Sequence, residues 1–177
     1  MFFIPGPVIA ALTFPGVIVH EMAHQLFCRL FRVAVLDVCY FRFGNPAGYV
    51  IHEPTLAARQ QIWIGIGPFI VNSILGAIVS LPAAIQVVQF DVGSPLHYFL
   101  IWLGVSIAMH AFPSTGDAKT LRTAVSGPSV SILAKLVAYP IVGVIYVGAF
   151  GSMVWLDAIY GLGVALATPK LLVMLFA

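Results

Sequence analysis

The sequence predicts an all-α polytopic membrane protein with about five transmembrane helices and a small membrane-associated β-hairpin. Three observations carry that expectation. Of the 177 residues, 61% are hydrophobic and 8% are charged, whereas a soluble domain is about 45–50% apolar. The apolar residues gather into runs long enough for spans of roughly 20 residues. One stretch, residues 33–53, departs from those runs, with β-branched and aromatic residues placed around a turn cluster. Five spans with short connections leave no room for a separate soluble domain.

The first apolar run, from about Phe3 to Phe31, carries polar groups where lipid is expected, in the set His20-Glu21-Met22-Ala23-His24. Its helix is expected to start after Pro5-Gly6-Pro7, to bend at Pro15-Gly16 where proline removes a backbone bond, and to end near Phe31. At i and i+4, His20 and His24 share one helix face and can reach one metal ion. Glu21 lies about 100° further round, placed to meet a metal-bound water rather than the metal. This spacing suits hydrolysis. The competing reading, two buried histidines and a carboxylate that merely hold a packing together, is opposed by the expense of ionisable groups inside a membrane. Arg29 and Arg32 mark the nearer membrane surface, so the site is expected to be shallow.

Residues 33–43 read as a strand, Gly44-Asn45-Pro46-Ala47-Gly48 as a turn and Tyr49-Val50-Ile51-His52 as the returning strand. A hairpin at a membrane interface needs its backbone groups covered by protein or water, which places it beside a cavity. Its free 33–43 edge could pair with an extended peptide, with Val38 as the candidate substrate-binding position. A second helix is expected from Leu56 to about Leu81, opened by Pro54-Thr55 and kinked at Pro68. Inside it, Asn72 either glues helices together, with Ser73 and Gly76 allowing close approach, or serves substrate binding beside the site.

Gln86 to Ser94 read as a polar connection, followed by a third helix from about Pro95 to Ala111 that breaks at residues 112–120. Broken helices at membrane depth are tolerated where they line a cavity. A zinc site built on two helical histidines lacks one protein ligand. Asp117, in that break, is the leading candidate, followed by Glu53 and His52 and then His110. Two further apolar segments, about 131–150 and 153–176, meet near Gly151-Ser152 and read as structural helices, with Asp157 and Lys170 at the interfaces.

Net charge is +2 and the eight basic residues are scattered, so nucleic acid is not an expected partner. With five spans, all eight fall on one side of the membrane, opposite Asp91 and Asp157, which makes that side cytoplasmic and the N-terminus external. His24 and Asp117 then meet near the same face. A four-span arrangement with a partly re-entrant last segment is the alternative. The two cysteines, Cys28 and Cys39, are too few for a disulfide framework. Cys28 follows His24 by one turn, yet a buried free cysteine is ordinarily a small hydrophobe. No positive region precedes the first apolar run, so a cleaved signal peptide is not expected.

Together these motifs resemble the site-2 proteases, intramembrane zinc metalloproteases of the M50 type, over about residues 15–125. The resemblance rests on His20-Glu21-Met22-Ala23-His24 in a span, a hairpin with Phe41-Arg42-Phe43-Gly44-Asn45-Pro46-Ala47-Gly48-Tyr49, Gly67-Pro68 with Asn72, and an Asp-containing break in the third helix. It implies one zinc ion held by His20, His24 and Asp117, with Glu21 as general acid/base. It also implies cleavage in or near the transmembrane segments of single-span membrane proteins. The expected unit is one membrane-embedded protease domain, 1–177, with a catalytic core at about 5–125 and accessory helices at about 129–177. The family usually shows Asn, Pro and Leu-Asp-Gly in the third helix, where this chain has His110, Pro113 and Gly116-Asp117-Ala118. His110 in the place of that Asn is a candidate catalytic donor to an oxyanion or substrate backbone. Beyond substrate, the expected partners are the lipid bilayer and either a regulatory membrane protein or a second copy. The alternative function is a non-catalytic membrane metal-binding protein, either a zinc transporter or an inactive homologue that binds spans.

Overall fold

The computed structural model of the chain describes residues 5–55, 57–127, 130–168, 170, 171 and 174. The bounds expected at Phe3, Leu56 and Phe176 lie outside the described residues. The chain runs through α1 (Gly6–Leu12), α2 (Phe14–Leu30), β1 (Val35–Cys39), β2 (Tyr49–His52), α3 (Ala58–Phe90), α4 (Pro95–Met109), α5 (Thr115–Val125), α6 (Ile132–Gly151) and α7 (Leu156–Leu162), with a π-helical turn over Gly163–Ala167.

The first apolar run is two helices that meet at 89°. The break falls at Thr13 rather than at Pro15-Gly16. Pro15 instead occupies the first turn of α2, where a missing N–H has no intrahelical partner to lose. Such a bend frees backbone groups, and α4 takes them up. Ser106 Oγ donates to Thr13 O (2.9 Å) and accepts from Gly16 N (3.2 Å). Gly16 is required by this contact, since a Cβ there would overlap the Ser106 carbonyl.

The hairpin is antiparallel, with Val38 opposite Val50 and Cys39 opposite Tyr49. Its turn closes through Arg42, whose N–H bonds Ala47 O (2.7 Å) and whose Nε bonds Pro46 O (3.0 Å). Helix α3 runs well past the expected end near Leu81, to Phe90, absorbing Pro82 and part of the expected polar connection; it ends at Asp91 in the left-handed conformation. At 33 residues it is about 50 Å long, more than a hydrocarbon core needs. Ser94 caps α4 by accepting from His97 N.

The expected five spans are matched in part. Among the described residues, two helices, Ala58–Phe90 and the run Ile132–Val154, are long and apolar enough to cross a membrane, or three if the bent pair α1–α2 counts as one. The physical reason is length. Helix α4 has 15 residues, which reach about 22 Å against a hydrocarbon core of about 30 Å. The described residues are thus mainly helical, with two or three candidate spans and one two-stranded sheet. Helix α5 packs its buried face, Ala118, Leu121 and Val125, onto Ala138, Val142 and Ile145 of α6. The C-terminal part therefore backs the segment that carries Asp117.

Candidate metal centre

His20 and His24 are buried on α2, and each imidazole is oriented by a carbonyl from a different helix. His20 Nδ1 lies 2.6 Å from His110 O, and His24 Nδ1 lies 2.9 Å from Ile64 O. A carbonyl only accepts, so both Nδ1 atoms carry a proton, and in the neutral ring Nε2 is then the nitrogen with a lone pair to offer a metal. Such backbone anchoring of the far nitrogen is how metal-ligating histidines are set.

Asp117 arrives from the opposite side by local means. Ser114 and Asp117 form a capping box at the start of α5. Asp117 Oδ2 accepts from Ser114 N and Ser114 Oγ, both at 2.7 Å, while Oδ1 lies 3.4 Å from His24 Nε2. Burial alone would raise the Asp117 pKa, but the charge and N–H of His24 when that ring is protonated, together with the Ser114 donors, reverse that and hold the carboxyl well below its usual range. One ligand atom from each of His20, His24 and Asp117 lies within 4.8 Å of the others. Two imidazole nitrogens and a carboxylate oxygen converging this closely suit a zinc ion, which takes three protein ligands in hydrolytic sites.

The three residues open onto a cavity of about 630 Å³, lined also by Glu21, the 45–50 part of the hairpin and the break between α4 and α5. Glu21 is buried on the wall and makes no hydrogen bond among the described residues. Gly48 lies so close that a Cβ there would stand 2.7 Å from Glu21 Cγ.

The remaining candidates are placed differently from the sequence reading. Asn72 is fully buried; its Nδ2 serves Gly16 O (3.2 Å), Ile107 O (3.0 Å) and His110 O (3.2 Å). This clamp on α2 and α4 matches the interhelical alternative: the amide nitrogen is spent on backbone, and Oδ1 has no donor among the described residues. His110 is likewise engaged by the fold. Thr13 Oγ1 gives its proton to Ile9 O (2.7 Å), so His110 Nε2 must donate to it across 2.8 Å. In the neutral ring the other nitrogen only accepts, which leaves no donor for an oxyanion. The part of His110 that serves the site is its carbonyl. Val38 lies against a separate groove with Gln25, Arg29 and Asp37, while the strand on the cavity is β2, through Tyr49, Val50 and His52. Cys28, His52, Glu53 and His110 are outside the ligand group.

Sequence reasoning passed over Gln61. Its side chain is 3% exposed, lines the cavity and has no hydrogen-bond partner among the described residues. The available signal was an amide four residues before Gly65 on an otherwise apolar helix.

Fold and site define the class first: a helical protein with a histidine–histidine–carboxylate centre and an adjacent free glutamate. The chain belongs to the DUF3267 family, described as "Putative zincin peptidase", whose model matches residues 13–121. This places it among zinc metallopeptidases and implies zinc as the cofactor. It also overturns the resemblance to the site-2 proteases and the M50 type inferred from it. The shared features are those any helical zinc site near a membrane would need, and the departures at His110 and Gly116-Asp117-Ala118 fall where a distinguishing motif should stand. No curated protein and no solved structure matches the chain.

Proposed function

We propose that this protein is an intramembrane metallopeptidase that cleaves single-span membrane proteins in or near their transmembrane segments. In this reading the protein is a multi-pass membrane protein with an external N-terminus, and one zinc ion is held near the cytoplasmic face by His20, His24 and Asp117. The observation that carries the reading is the convergence of those three residues within 4.8 Å, beside Glu21, in a chain whose helices are apolar enough to span.

When bound, zinc supplies Lewis acidity, polarising a peptide carbonyl and making water acidic near neutral pH. The chain's own residues do the rest. His20 and His24 offer Nε2 because their Nδ1 protons are committed to His110 O and Ile64 O. Glu21 takes a proton from the attacking water at its carboxylate, the carbon–oxygen bond forms, the carbon–nitrogen bond breaks, and the proton passes to the leaving amine. A helical substrate has its carbonyls hydrogen-bonded and must be extended before attack. Strand β2, on the cavity, offers main-chain groups to an extended segment. Gln61 offers a further amide.

A zinc-binding protein without activity has no use for a buried glutamate that faces the cavity with no hydrogen-bond partner among the described residues, so the catalytic reading is favoured over that alternative. The deciding experiment is Glu21→Gln in purified protein, with bound zinc and cleavage of a single-span substrate measured together. Zinc content should be unchanged and cleavage should fall by about 10²–10⁴-fold or more. Retained cleavage would refute the role of Glu21.

A further inference from the structure

Proline within an α-helix is normally a defect: it removes one N–H and leaves the carbonyl four residues earlier without its partner. Pro68 stands inside α3 and is fully buried, and the carbonyl four residues before it belongs to Ile64. That is the carbonyl that receives the Nδ1 proton of His24 at 2.9 Å. A second case lies on the other side of the site. His110 O, which receives the Nδ1 proton of His20 at 2.6 Å, stands just past the end of α4. Pro113, three residues on, has no N–H to give it, and the Ser114 N–H one residue further goes to Asp117 Oδ2. Both histidines thus hang from carbonyls to which a neighbouring proline gives no N–H, the His110 carbonyl also accepting from Asn72 Nδ2.

We propose that Pro68 is a positioning residue for the metal centre: by withholding its N–H it reserves the Ile64 carbonyl for His24, which sets that ring's tautomer and aims Nε2 at the site. This inference rests on reading His20, His24 and Asp117 as a metal centre, but not on the proteolytic activity. A buried carbonyl can accept two hydrogen bonds, yet the helical donor would lie along the axis and draw the peptide plane back into the helix, away from α2.

The helix itself provides the control. Pro82 is also internal to α3, and the carbonyl four residues before it belongs to Ile78, which faces outward. Pro68→Ala and Pro82→Ala should each restore one helical hydrogen bond, but only the first should touch the metal. Zinc affinity, read by competition with a chromophoric chelator, should fall about 10–100-fold in Pro68→Ala, the range for removing a ligand's orienting partner, and stay within about twofold in Pro82→Ala. Melting temperatures of the two zinc-free variants report whether the fold is kept. Pro68→Ser, which also restores the N–H, should repeat the loss. The spectroscopic signature is the His24 Nδ1–H resonance in ¹⁵N-histidine-labelled wild type, slow to exchange with solvent, and fast in Pro68→Ala. Equal zinc affinity in Pro68→Ala and wild type overturns the proposal. If neither Pro68 variant folds, the wild-type resonance decides, and its absence or rapid exchange overturns the proposal too. A wild-type protein that binds no zinc would instead overturn the metal-centre reading beneath it.

Discussion

The two halves of the centre are held by different physics. On α2, each histidine is aimed by a carbonyl distant in sequence, 90 residues away for His20 and 40 for His24. Asp117 is aimed by Ser114, three residues before it, within one capping box. The first half exists only if α2, α3 and α4 are packed together. The second half would largely form on its own at the start of α5 and needs the rest of the fold only to bring it across to His24. Precision in the first half is therefore a property of packing, and in the second a property of local sequence.

The most severe way to break this comparison is to delete a ligand from each half. His24→Ala and Asp117→Ala should both lose stoichiometric zinc, measured by metal analysis after gel filtration, because neither half can close the site alone. A variant that kept full zinc would remove that residue from the ligand set. The next largest effect sharpens the contrast by changing only the supports. Asn72→Leu strips a donor from Gly16 O, Ile107 O and His110 O at once. It should lower stability by about 1–3 kcal/mol in chemical denaturation and zinc affinity by about tenfold or more. Ser114→Ala removes a cap at a cost of about 1 kcal/mol and should weaken zinc binding less than Asn72→Leu does. The reverse order would show that α5, not the α2–α3–α4 packing, limits the geometry.

Smaller effects are expected at the cavity wall. Gln61→Leu should leave zinc and melting temperature alone and weaken binding of an extended peptide to the Glu21→Gln protein by about 3–10-fold, the worth of one hydrogen bond. Unchanged peptide affinity would assign Gln61 to packing. On the hairpin, proline at Val50 should reduce cleavage more than proline at Val38, because β2 and not β1 lines the cavity; equal effects would mean that the hairpin acts only by folding.

Much of this was legible in the residues. The i and i+4 histidines, the neighbouring glutamate, the hairpin turn at 44–48 and the Ser114-x-x-Asp117 cap are short-range patterns whose geometry follows from helix and turn periodicity. Others were legible in kind but not in role. Asn72 and His110 stood out as polar groups in apolar helices, which is as far as composition reaches; whether such a group faces a cavity or a backbone depends on which helix packs against it.

By itself the sequence determined that the chain is apolar and mainly helical, that one helix presents two imidazoles and a carboxylate at hydrolytic spacing, and that an acidic residue, Asp117, sits in the break after the third helix. Each is a consequence of local chemistry. Tertiary structure alone decided that the bend falls at Thr13, that β2 faces the cavity, that the Gln61 side chain has no partner among the described residues, and that the Ile64 and His110 carbonyls hold the histidines. Proline fixes locally which carbonyls are free, but what claims them is settled by how α2 packs against α3 and α4, and no periodicity in the sequence records that packing.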